Sequence, residues 1–495
     1  MNNESRNSLD EKSLDPTDWN HFSKLAHKAL DTAINHIQGA SERPPWRSLP
    51  EEARADIEGP LPHTGSDLGK VLQRIERSIL PYPTGNAHPR FWGWVMGNGT
   101  PDAMLADMLA SAMNPHLAGY DQSASAVEKQ VIRWFLEVMG YPSNASGLLV
   151  SGGTMANLTG LAVARRANAG FDLREEGLSG GPRLRVYGSV ETHSWAEKCC
   201  DVLGLGRRAM RRVEADREGR VRPDALRRAI EEDRRRGDRP ICVLGNAGTV
   251  DTGAIDDLDA LADLCAEEDL WLHVDGAFGA LAALAPSLRP RLRGLERTDS
   301  VAFDLHKWGY LPYEVGAVLV RDPDAHRAAF ETRADYLKPP GRGLQPENLE
   351  FADLGVQLSR GFRALKVWVA LETHGVDAIG HVIERNVEQA QHLARRVASE
   401  DGLELLAPVP LNVVCFRYHV PGLEEETLEE LNREILLRLQ EDGIAIPSST
   451  YRQGRFALRV AITNHRTRFA DLDLLVEAVL RLGRELSART EAAAG

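Results

Sequence analysis

The residues of this chain best able to do covalent chemistry sit at the ends of short apolar runs. Lys307 lies at the end of Val301-Ala302-Phe303-Asp304-Leu305-His306-Lys307-Trp308. An amine behind an apolar strand is desolvated, and a desolvated amine forms imines with aldehydes. Asp275 closes Trp271-Leu272-His273-Val274-Asp275, about one strand–helix–strand crossover upstream. A carboxylate there is costly to bury without a cation, and a protonated pyridine nitrogen is one such cation. An N-cap role or an arginine partner would serve it equally. The small Gly276 and Ala277 that follow leave space for a flat ring. His193 follows Val186-Tyr187-Gly188-Ser189 across a polar turn. A neutral imidazole there either stacks on such a ring or simply hydrogen-bonds its own loop. Leu148-Leu149-Val150 runs into Ser151-Gly152-Gly153-Thr154 and then a helical stretch. Glycines let backbone approach a phosphate, and a helix N-terminus offers free N–H groups. A tight turn with Thr154 as N-cap is the plainer account. Each run alone is weak. In order, they make a phosphate cup, a ring stacker, a pyridinium partner and an imine lysine, which is what pyridoxal 5'-phosphate (PLP) requires of a protein.

The elements around these runs predict how they are brought together. Strand-like runs at Gly147–Val150, Leu184–Tyr187, Ile241–Leu244, Trp271–Val274, Ser300–Phe303 and Gly316–Val320 alternate with helical stretches such as Met155–Asn168, Pro223–Arg236 and Leu258–Glu268. That alternation predicts an α/β fold with a mainly parallel sheet, whose strand ends gather ligand-binding residues. Ahead of it, apolar residues from Phe22 to Ile37 recur at helical spacing, a proline-rich stretch follows, and a second helix is expected near Asp67–Ile79. This predicts a helical arm over residues 1–100, not a compact domain. The large domain is expected over 101–370. Residues 371–495 alternate helix and strand as a smaller α+β unit. Between Glu331 and Glu350, Pro339, Pro340, Gly341 and Gly343 predict a long loop suited to act as a lid.

With 495 residues, 43% of them apolar and 26% charged, the chain has the composition of a globular protein. A net charge of −13 argues against nucleic acid as its main partner. No apolar run reaches the length of a membrane span, and the polar N-terminus lacks the features of a signal peptide, so a cytoplasmic location is expected. The five cysteines are scattered without a CxxC pair, which predicts reduced, buried thiols and neither metal nor disulfides.

His306-Lys307-Trp308, with Val274-Asp275-Gly276-Ala277 upstream, resembles the group II PLP-dependent amino-acid decarboxylases. The resemblance runs from His88-Pro89-Arg90-Phe91 to Leu358-Ser359-Arg360-Gly361-Phe362-Arg363-Ala364-Leu365-Lys366. It implies PLP fold type I: a large, mainly parallel seven-stranded sheet domain, a small α+β C-terminal domain and an N-terminal helical arm. It also implies a homodimer with the active site at the interface. By resemblance, Lys307 carries the cofactor, Asp275 meets the pyridine nitrogen, His193 stacks on the ring and Ala277 packs on its other face. Gly152, Gly153, Thr154 and His306 would contact the phosphate, with Asp304 and Thr249 nearby. Trp94, Val95 and Gly97 would line the substrate pocket, with His116 and Leu117 reaching in from the partner subunit.

The expected reaction is decarboxylation of an L-amino acid, aromatic or apolar in side chain, to the amine and CO2. Two alternatives stay open. Relatives with aromatic substrates place a proton-donating tyrosine in the lid, and counting back from Phe362-Arg363 puts Phe351 there, with Tyr336 in the same loop. A phenylalanine has no proton to give, which would admit an oxygen-dependent route to an aldehyde unless Tyr336 or His193 supplies the proton. An aminotransferase would need an arginine for the α-carboxylate. Arg90 and Arg363 are the arginines considered for substrate, Arg363 with a structural salt bridge as the plainer role. A catalytically silent scaffold is disfavoured by the joint presence of Lys307, Asp275 and His193.

Overall fold

The computed structural model describes residues 13–331, 339–345 and 350–494, with side chains described to residue 488. Asp18 opens the first helix, Trp19–Gln38, by accepting from the N–H groups of Asn20 and His21 at 2.9 and 3.0 Å. Asp67 does the same for Leu68–Arg74, accepting from Lys70 N–H at 3.1 Å. None of the side chains of Trp19–Gln38 is fully buried, and Trp19, Phe22 and Ile34 stand exposed on it.

The main sheet has seven strands: β1 (Ser146–Val150), β2 (Leu184–Ser189), β3 (Met210–Val213), β4 (Arg239–Asn246), β5 (Trp271–Asp275), β6 (Ser300–Asp304) and β7 (Gly316–Val320). Their order is β1-β7-β6-β5-β4-β2-β3. The block from β3 to β6 is parallel, and β7 runs antiparallel to both β1 and β6. Six of these strands are legible as apolar runs. β3 is not, because it is a four-residue edge strand carrying Arg211 and Arg212. Helices Gly153–Asn168, Pro223–Arg235 and Leu258–Glu268 follow the strands as the alternation predicts.

A second sheet, β8 (Leu403–Leu405), β9 (Val413–Tyr418), β10 (Ser448–Arg452) and β11 (Arg455–Ala461), is antiparallel in the order β10-β11-β9-β8. Helices Glu425–Glu441 and Phe469–Ala494 build a separate apolar core with it. Trp92 belongs to that core, although it comes from the N-terminal hundred residues. Its N–H donates to Ile446 O at 2.8 Å, its carbonyl accepts from Ala461 N–H at 3.0 Å, and its indole donates to Thr467 Oγ1 at 3.1 Å. Helix Ala364–Ala398 spans the expected 370/371 boundary and breaks at Gly375, whose φ of 75° suits glycine.

Arg360, within the motif that carried the family resemblance, is buried. It pairs with the buried Glu128 and donates to Leu117 O at 2.8 Å and Leu149 O at 2.7 Å. This ties helix Ser123–Met139, β1 and the chain before the second unit into one knot, close behind the glycine turn that follows β1.

Candidate active site

A cavity of about 560 Å³ opens at the carboxyl ends of β1, β2, β4, β5 and β6, and β10 and β11 close it from the second sheet. It brings Gly152, Gly153, Thr154, His193, Asp275, Ala277, Asp304, His306 and Lys307 onto one wall, together with Trp94 and Val95.

Asp275 is 7% exposed and both of its carboxylate oxygens are held. Trp195 Nε1 donates to Oδ2 at 2.5 Å and Ala277 N–H to Oδ1 at 3.0 Å. These bonds fix the orientation of the carboxylate and leave its remaining lone pairs for a cation in the cavity. His193 Nδ1 accepts from the N–H of Trp195 at 3.1 Å, so a neutral imidazole carries its proton on Nε2. Burial lowers the His193 pKa; Asp275 opposes that shift and Lys307 adds to it.

Lys307 Nζ lies 2.9 Å from Asp304 Oδ2. Burial is the largest influence and works to lower its pKa, but the charge and hydrogen bond of Asp304, with Asp275 and Tyr313 acting in the same direction, together raise it. The net shift is upward, contrary to the expectation from desolvation alone, because the strand that buries Lys307 also supplies its counter-ion three residues earlier. The amine is therefore parked as an ammonium on Asp304.

The glycine turn differs in detail from the N-cap expectation. Gly152, not Thr154, occupies the N-cap position of helix Gly153–Asn168, and no side chain caps it. Among the described residues no side chain takes up its first N–H groups, which lie beside the cavity as an anion site requires. The turn needs glycine for space. A Cβ at Gly153 would come within 2.7 Å of Asp304 Oδ2, and one at Gly152 within 3.1 Å of His306 Cε1. Asp304 Oδ1 is buried below the turn without a hydrogen-bond partner among the described residues. His306 Nδ1 lies 2.9 Å from Val315 O, and burial lowers its pKa. The cup, the stacking imidazole, the oriented carboxylate and the lysine fit a phosphorylated pyridine aldehyde.

Five expected residues do not line this chain's own cavity, two of them, His116 and Leu117, being expected at the partner's. Thr249 is 1% exposed, and its hydroxyl accepts from Ala254 N–H at 3.1 Å, holding a turn whose neighbours Gly248 and Val250 reach the cavity. Gly97 is not on the wall but behind it: a Cβ there would sit 1.8 Å from His306 O, so the strap of residues 94–97 presses directly on the lysine turn. Leu117 has no exposure, and its N–H donates to Arg360 O at 3.0 Å, so its side chain is taken up by its own chain's core. His116 is exposed, with its ring 5.6 Å from that of Tyr120. Phe351 is 2% exposed, packed in the core under the Arg360 guanidinium. It does not line this chain's own cavity. Tyr336 and most of the proposed lid lie outside the described residues. Arg363 pairs with Glu314 at 3.0 Å, the structural role.

Residues that the sequence reading passed over also line the cavity: Trp195, Asp251, Tyr313 and Arg459. Arg459 is 2% exposed and donates to Trp94 O at 2.7 Å, to Ser448 Oγ at 3.2 Å and to Val250 O. A signal was available, since Arg459 interrupts the apolar run from Phe456 to Ile462. Trp195 offered none, because its bond to Asp275 crosses 80 residues. Tyr313 stacks on His306 with ring centroids 4.4 Å apart.

The profile of the pyridoxal-dependent decarboxylase conserved domain matches residues 50–419. The chain is 33% identical over 468 residues to an aromatic-L-amino-acid decarboxylase of Bacillus atrophaeus, covering 94% of this chain and 96% of that one. It is 31% identical to an L-2,4-diaminobutyrate decarboxylase of Rhizobium meliloti, over 94% and 92% of the two chains. A crystal structure of Oryza sativa TDC with PLP and tryptamine superposes with a TM-score of 0.88 at 26% identity, over 96% of this chain and all of that one.

Proposed function

The chain belongs to the pyridoxal-dependent decarboxylase family, a PLP-dependent amino-acid carboxy-lyase of fold type I, and on that premise we propose that it converts an aromatic L-amino acid to its amine and CO2. The observation that carries the reading is the convergence of Lys307, Asp275 and His193 on one cavity whose lining includes Trp94, Val95, Met96 and Phe278. Trp94 holds a φ of 55°, is 54% exposed and lines the cavity, while Trp92 fills the core. Such walls favour a flat apolar side chain. The similarity to the Bacillus enzyme and to the rice structure solved with tryptamine supports the same class.

When bound, PLP supplies an aldehyde to capture the substrate amine and a protonated ring that accepts the electrons of the breaking Cα–carboxylate bond. Asp275, oriented by Trp195 and Ala277, stabilises the proton on the ring nitrogen. The N–H groups at the start of helix Gly153–Asn168 would hold the phosphate. His193, with its proton on Nε2, presents a neutral face to the ring. Asp304 would hold the Lys307 side chain as an ammonium whenever its amine is free. Arg459, which lines the cavity and is held by Trp94 O, Ser448 Oγ and Val250 O, would supply a cation toward a substrate carboxylate.

One observation favours a second substrate class. Asp251 lines the same cavity, accepting from Thr450 Oγ1 at 2.8 Å, and would suit a side chain ending in an ammonium, as in 2,4-diaminobutyrate. The deciding experiment incubates the holoenzyme with tryptophan, tyrosine, phenylalanine and 2,4-diaminobutyrate. CO2, amine and oxygen are followed together. Stoichiometric amine and CO2 from the aromatic acids without oxygen uptake is expected. CO2 only from diaminobutyrate would transfer the assignment, and oxygen uptake with aldehyde would replace the amine as product.

We propose a homodimer as the working form. The exposed apolar residues of Trp19–Gln38, and Leu105, Met108, Leu109 and Met113 along helix Pro101–Met113, offer more apolar surface than a monomer comfortably leaves in water. His116 follows directly on that helix and would reach the partner's cavity.

A further inference from the structure

A second cavity, at about 880 Å³ larger than the first, lies between the N-terminal segment and the second unit. It shares no wall residue with the Lys307 cavity. Arg90, Arg385, Arg466 and Arg468 line it. Elsewhere in this chain arginines are typically paired, as Arg297 is with Asp259 and Asp263. Here, among the described residues, the arginine side chains find only carbonyl oxygens: Arg385 donates to His465 O at 2.8 Å, and Arg466 to Asn98 O at 3.4 Å and Gly99 O at 3.2 Å. Arg90 and Arg385 each bury an Nε–H without a partner among the described residues. Asp471 is the one carboxylate among the lining residues, and it accepts from the backbone N–H of Arg468 at 2.8 Å. Helix Phe469–Ala494 begins at this wall and adds the positive end of its dipole.

Four cations around one hollow, in a chain of net charge −13, leave charge and N–H donors unsatisfied. Forked guanidinium groups match phosphate and carboxylate oxygens. The hollow is also mechanically linked to the active site. Arg466 holds the carbonyls of Asn98 and Gly99, the end of the strap whose Trp94, Val95 and Met96 line the first cavity. Gly97 of the same strap abuts the backbone of His306.

We propose that this cavity is a binding site for a small polyvalent oxyanion, a phosphate or polycarboxylate compound. Its occupancy is transmitted to the Lys307 site through residues 94–99. The inference goes beyond the decarboxylase reading and stands on separate residues.

The test uses holoenzyme reduced with borohydride, so that fixed cofactor fills the phosphate cup. Inorganic phosphate and citrate are titrated by calorimetry at constant ionic strength, with chloride as the monovalent control. Phosphate or citrate is expected to bind where chloride does not. Arg468→Gln and Arg90→Gln should each weaken binding by about fivefold or more, while Arg484→Gln, on the exposed far end of the same helix, leaves it unchanged. In unreduced holoenzyme, the same anion should change the cofactor absorbance or kcat/KM. Absence of binding, or binding that neither variant weakens, overturns the site. Binding without any change in absorbance or kcat/KM overturns the coupling. Arg468 is exposed, so its variant keeps the test meaningful if Arg90→Gln fails to fold.

Discussion

Lys307 and Asp304 form the pair on which the proposed chemistry turns, and each constrains what the other can be. Removing the amine in Lys307→Ala should abolish any absorbance band that borohydride bleaches, read directly by spectroscopy before and after reduction. Trp195 acts one step removed. Its 2.5 Å bond to Asp275 aligns the carboxylate without touching the proposed ring. Trp195→Phe keeps much of the bulk and removes the donor. A hydrogen bond to a charged group contributes about 1.5–3 kcal/mol, so kcat should fall about tenfold or more. The pH dependence of the cofactor absorbance should shift with it. A purely structural role would change thermal stability and leave that titration in place. Gly97→Ala is the steric counterpart. Its Cβ would meet His306 O at 1.8 Å. A cost of about 1–3 kcal/mol, with weaker cofactor retention on dialysis, is expected.

At the scale of elements, the site depends on strands ending level with one another. Parallel pairing sets Asn246 beside Asp275 and Asp275 beside Ala302, so the ends of β4, β5 and β6 reach the cavity together. The Arg360–Glu128 pair holds the β1 end in line with them. Removing one partner of a buried pair strands the other charge, which costs about 3–5 kcal/mol. Glu128→Gln should therefore lower the urea midpoint by a matching amount. A change below about 1 kcal/mol would show that the knot is not a structural anchor.

For the whole molecule, buried histidines set the response to acid. Burial lowers His273 and His326 to about 4. In the unfolded chain they titrate near 6.5. Between those values the unfolded state binds more protons, so folding stability is lost as pH falls from about 6.5 toward 4. Asp256 works the other way. Burial raises it to about 6, and its contribution is lost as pH rises through that value. Burial lowers His88 and His465 to about 4 as well, so four histidines against Asp256 leave a net loss on acidification. Urea midpoints measured across this window should fall, and His273→Gln should flatten the slope by up to one proton. The proposed dimer has its own test: Leu109→Glu, on an exposed position of helix Pro101–Met113, should shift the mass measured by light scattering from dimer toward monomer.

The sequence by itself determined the alternating strands and helices, the strand-end placement of Lys307, Asp275, His193 and the glycine turn, and the helix of the arm. All of these rest on local periodicity, or on a residue type standing where an apolar run stops. Only the tertiary structure decided the rest. The short strand β3 exists because β2 pairs with it, and its two arginines erase any local signal. Arg459 reaches the cavity because the second sheet folds over the first, and Trp92 fills that second core while Trp94, two residues on, faces the cavity. Counting along the chain places Phe351 in the lid and resemblance places Leu117 at a pocket, yet both are buried in this chain against Arg360. Burial of a side chain is settled by contacts hundreds of residues apart, and spacing along the chain carries no record of them.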